Sequence, residues 1–108
     1  MPRDWLRRID DVRDTIQRIE TYTAGMDETA FTCDQKARDA VLYNLQIIGE
    51  AIAHLPEDVL SKRKDIPWSE IRAMRNILAH GYFAVKILII WHTVVDDVPK
   101  LKASIEDI

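Results

Sequence analysis

Arg75, His80 and Tyr82 sit together in "MRNILAHGYF", residues 74–83, with Gly81 between the imidazole and the phenol. Arginine grasps phosphate well, because its rigid fork matches two oxygens and stays charged. Histidine takes and gives protons near neutral pH. The pair suits cleavage of an RNA backbone. RNA brings its own nucleophile, the 2′-hydroxyl. A protein has to remove that proton, offset charge on a phosphorane-like transition state, and protonate the leaving oxygen. That chemistry requires no metal.

Arg75 and His80 are five residues apart, or about 140° around a regular helix. The break at Gly81 lets the last turn unwind, so that His80 turns toward the arginine's side. Arg72 shares the face of Arg75, three residues before it. One histidine cannot readily be base and acid in a single concerted step. A two-fold dimer would supply a second His80 and a second Arg75.

Each residue also has a plainer reading. His80 suits the end of a helix, where the macrodipole favours a cation. Arg75 could pair with Glu50 or Asp39. Tyr82 could be an ordinary half-buried aromatic. Glu50, beside Gly49, could be a buried polar partner. His54 and His92 read as helix-surface or core-edge residues, and with Cys33 they show no metal-ligand spacing. Neither a metal nor a cofactor is expected. The three tryptophans fall on core stripes and read as packing, not as platforms for bases.

Four main helices must position these groups. In the first, about Trp5 to Ala24, Trp5, Ile9, Val12, Ile16 and Ile19 recur at helical spacing. "TAGMDETAF" then reads as a loop, with Gly25 as C-terminal cap. The second helix opens at "TCDQ", with Thr32 as N-cap and Gln35 completing a capping box, or with Asp34 as the cap. Val41, Leu45, Ile48, Ile52 and Leu55 form its stripe. "PEDVLSKRKD" reads as one or two turns. Pro67 suits the first position of the third helix, whose inner side is Trp68, Ile71, Met74 and Leu78 and which Gly81 stops. The fourth starts near Phe83 or Ala84 and carries Ile87, Trp91, Val94, Val98, Leu101 and Ile105. Pro99 should kink it or start a new helix in line. The fold class expected is all-α: an antiparallel helical bundle with short helical turns.

"ILIIW" adds one more inference. Five successive apolar residues at about 100° each go right around a helix. A peripheral helix buries one side, so Leu88, Ile89 or Val95 needs another cover. A homodimer seam is the simplest supply, and a central place in the bundle is the alternative.

The chain has 108 residues and one cysteine, Cys33, with 47% hydrophobic and 31% charged residues. This suits one domain over 1–108 with no internal disulfide. The longest apolar run, Ile87 to Trp91, is far short of the roughly 20 residues that span a bilayer. "MPRDWLRRID" lacks the apolar region of a secretory signal. A cytoplasmic protein without a membrane partner is expected. The formal net charge of −3 argues against a generic nucleic-acid binder. However, "SKRKDIPWSEIRAMR", residues 61–75, gathers five of the cations beside the motif.

The stretch "IPWSEIRAMRNILAHGYF", with "AVLYNLQIIGEAI" before it and "IIWHTVVDDVPKLK" after it, resembles the HepT-like branch of the HEPN ribonucleases. The likeness runs from about Asp39 to Leu101. The family pattern is an arginine, a polar residue, three variable residues and a histidine, matched by Arg75, Asn76, Ile77-Leu78-Ala79 and His80. The HepT branch adds one residue and a tyrosine, matched by Gly81 and Tyr82. The resemblance implies a dimeric, metal-independent RNase toxin of a type VII toxin–antitoxin pair, whose partner is a minimal nucleotidyltransferase antitoxin, MntA. Carried over, Arg75 and His80 are catalytic, Asn76 is a supporting polar group, and Tyr82 receives AMP from the antitoxin. Lys86 stands where an acidic residue is expected. It adds positive charge and, with Arg72, would contact RNA phosphates. The competing reading is a catalytically inactive binding partner or substrate subunit of a nucleotidyltransferase.

Overall fold

The computed structural model describes residues 2–62, 66, 68 and 87–106, with side chains from residue 5 onward. Among them the regular structure is entirely helical, as expected for the all-α class. The elements are α1 (Pro2–Thr23), α2 (Glu28–Cys33), α3 (Gln35–Ala53), α4 (Glu57–Ser61), α5 (Ile87–His92), a π-helical turn (Thr93–Asp97) and α6 (Val98–Ile105). The expected third helix, apart from Trp68, lies outside the described residues, as does the start of the fourth.

The α1 stripe is buried as its spacing predicts. Ile9, Val12, Ile16 and Ile19 are at most 1% exposed. Gly25 follows at φ +75°, a left-handed conformation that costs glycine little. It turns the chain while the Met26 N–H donates to the Thr23 carbonyl at 3.0 Å.

The loop expected over "TAGMDETAF" is corrected here, because half of it is helical. The Asp27 carboxylate accepts from the Ala30 N–H at 2.8 Å and caps α2. This satisfies one of the donors that a helix start leaves open. Phe31 gives the short helix its reason to form. It is fully buried, with its ring centroid 5.2 Å from that of Trp91 in a tilted pair. Truncating Phe31 to alanine should cost about 3–5 kcal/mol, measured by denaturant unfolding. A loss under about 1 kcal/mol would show that α2 is not part of the core.

Asp34, not Thr32, caps α3. Its carboxylate accepts from the Ala37 N–H at 3.0 Å. Thr32 is already inside α2, where its hydroxyl donates to the Glu28 carbonyl. α3 packs most extensively on α1. Its stripe Val41, Leu45, Ile48 and Ile52 is buried throughout, as is Leu55 just beyond its end.

Pro99 sits in the first turn of α6. A proline there removes an N–H and crowds the carbonyl four residues before it. The chain meets this with the wider π-helical turn just upstream. In that turn the Val98 N–H donates to the Thr93 carbonyl. The helical path continues, and Trp91, Val94, Val98, Leu101 and Ile105 all stay buried.

α6 runs antiparallel to α1. Glu20 pairs with Lys102 at 2.9 Å, while Arg13, earlier in α1, donates to the Ile105 carbonyl at 2.8 Å. The Arg13 guanidinium thereby satisfies one of the carbonyls left open at the helix end. The hydrogen bond and charge of Glu20 raise the pKa of the Lys102 ammonium. A raised cation favours the fold below the ordinary lysine range, and that contribution disappears as pH climbs through the folded value. The pair is exposed, so its effect on stability is small.

Candidate functional site

The motif residues Arg72, Arg75, Asn76, His80, Tyr82 and Lys86 all lie outside the described residues. The structure does define what holds the chain on either side of them. On the upstream side, Ile66 and Trp68 are buried. The Trp68 indole N–H donates to the Leu60 carbonyl at 3.0 Å, and its backbone N–H donates to the Ile66 carbonyl at 2.8 Å. Leu60, on α4, is itself buried. The short turns read from "PEDVLSKRKD" thus serve as a shelf for this tryptophan.

On the downstream side, Ile90 and Trp91 of α5 are buried, and Ile87 packs partly against the same core. Trp91 meets Phe31. Trp68 and Trp91 belong to one hydrophobic cluster. The chain therefore enters the motif from the core and returns to it. The reading of the tryptophans as packing residues holds for both, and Trp5 packs partly buried on the same cluster.

α5 and the π-helical turn present a second feature. Leu88 is 48% exposed, Ile89 54% and Val95 43%. These are the three side chains that "ILIIW" and its continuation left in need of a cover. Among the described residues these three side chains remain largely uncovered. His92 is exposed on the same stretch, and His54 is exposed at the end of α3, as expected of both. His54 Nδ1 lies 2.8 Å from the Glu50 carbonyl.

Glu50 is exposed, which corrects its reading as a buried polar residue. The buried polar group of α3 is Asn44, 3% exposed, which sequence reasoning missed. Its amide N–H donates to the Ala40 carbonyl at 2.7 Å, while its Oδ1 is buried without a hydrogen bond among the described residues. The polar letter within an apolar stripe, between Val41 and Ile48, was the available signal. A buried acceptor without a donor costs about 1–3 kcal/mol. Asn44→Leu should therefore raise stability by about 1 kcal/mol. The check is the thermal midpoint, which should rise by roughly 4–8 °C for a domain of this size; a fall would refute the assignment.

A groove between α1 and α6, about 250 Å³, is lined by Arg13, Gln17, Glu20, Lys102 and Glu106 over Ile16 and Ile105. Two cations face two carboxylates there, so it offers no concentrated charge for a phosphate. Among the described residues, no group of three or more histidine, cysteine or acidic side chains is placed to hold a metal ion. Cys33 is a free, exposed thiol.

A family model described as "Ribonuclease HepT-like" matches residues 12–108. The chain belongs to the HepT-like ribonuclease family. Its relatives agree. A protein of Thermococcus cleftensis named "Probable ribonuclease HepT" is 39% identical over 98 residues, covering 91% of this chain and 89% of that protein. A protein of Caldanaerobacter subterraneus named as a putative RNase is 34% identical over 108 residues, 99% of this chain and 93% of its own. In Methanocaldococcus jannaschii, a longer protein named "Gamma-glutamylcyclotransferase and putative RNase" is 39% identical over 97 residues, 90% of this chain but 44% of that one. No solved structure matches. The matched family thus takes in the whole motif segment, and this HepT-like chain is a ribonuclease of the HEPN superfamily.

Proposed function

We propose that this chain is a single-domain, metal-independent endoribonuclease toxin of the cytoplasm, active as a homodimer. The observation that carries the reading is the spacing Arg75-Asn76-…-His80-Gly81-Tyr82, placed inside the residues that a ribonuclease family matches. In each half-site Arg75 binds the scissile phosphate and offsets charge on the transition state. One His80 removes the 2′-hydroxyl proton, and the second, from the other subunit, protonates the leaving oxygen. Asn76 supports the pair, and Arg72 and Lys86 contact flanking phosphates. The exposed Leu88, Ile89 and Val95 support a subunit seam immediately downstream of the motif, where it would bring two half-sites into one cleft.

Control follows from the same motif. A cognate MntA-like nucleotidyltransferase antitoxin transfers AMP to Tyr82. The bulky nucleotide and its anionic phosphodiester then occupy the arginine site and repel RNA. Intact-mass measurement of the chain co-expressed with an active nucleotidyltransferase partner should show added AMP groups, mapped to Tyr82. An unmodified Tyr82 under those conditions defeats this regulation while leaving the nuclease reading intact.

The acidic balance of the chain, −3 formally, favours one rival: an inactive binding or substrate subunit of the nucleotidyltransferase. Tight complex formation without RNA turnover by the unmodified dimer would establish it.

A further inference from the structure

We draw no further inference here: the strongest candidate, the exposed apolar face that Leu88, Ile89 and Val95 form on α5 and the π-helical turn, belongs to the subunit seam already proposed, and nothing in the structure shows a different partner covering it.

Discussion

His80→Ala and Arg75→Ala should each abolish cleavage of RNA, and the unsubstituted protein should keep cutting in EDTA. The expected losses are large because the two groups do different work. Removing a positioned acid or base costs about 10²–10⁴-fold. Removing a charged donor aimed at the transition state costs about 10²–10³-fold. On the proposed mechanism His80→Ala removes both base and acid from a symmetric cleft, so its loss should be the greater. Single-turnover cleavage of a labelled RNA, with matched thermal midpoints for the variants, separates chemistry from folding. Activity retained in both variants sinks the assignment. Activity that disappears in EDTA and returns with a divalent ion sinks the metal-independent mechanism alone.

Ile89→Asp should convert the proposed dimer to a monomer and take RNA cleavage with it. Ile89 is 54% exposed in the isolated subunit, so a carboxylate there is hydrated and the fold should survive. In a closed seam the same carboxylate would be desolvated without a partner, a penalty of several kcal/mol per ion. Isologous symmetry imposes that penalty twice. Dissociation by a hundredfold or more is therefore expected from sedimentation at micromolar concentration. A variant that stays dimeric moves the seam to another face. A monomer that still degrades RNA at the normal rate refutes the composite cleft.

The core was legible because helical spacing states it directly. Ile9, Val12, Ile16 and Ile19, and then Val41, Leu45, Ile48, Ile52 and Leu55, are buried as their spacing predicts. The exposed face of α5 was legible for a related reason: apolar residues exceeded what one helix face can bury. α2 was missed because six residues are too few to display a period. Its evidence was a cap and one buried ring, Asp27 and Phe31, which local polarity disguised as a loop. Thr32 and Asp34 offered rival caps two positions apart. The carboxylate prevailed, and the threonine hydroxyl found a carbonyl within its own helix. Glu50 is exposed and Asn44 buried for a similar reason. Charge drew notice to the glutamate, whereas the stripe itself placed the asparagine inside. Residue type and spacing suggest the chemistry proposed for Arg75 and His80, the resemblance alone suggests that of Tyr82, and the fold contributes the anchored shoulders at Trp68 and Trp91.

Those shoulders give the chain an intrinsic optical probe. Two shielded indoles, one bonded to the Leu60 carbonyl and one packed on Phe31, bracket the motif in sequence. Their emission depends on shielding from water and on nearby quenchers. A change in that shielding when RNA is added should therefore be readable by native fluorescence, without attaching a dye.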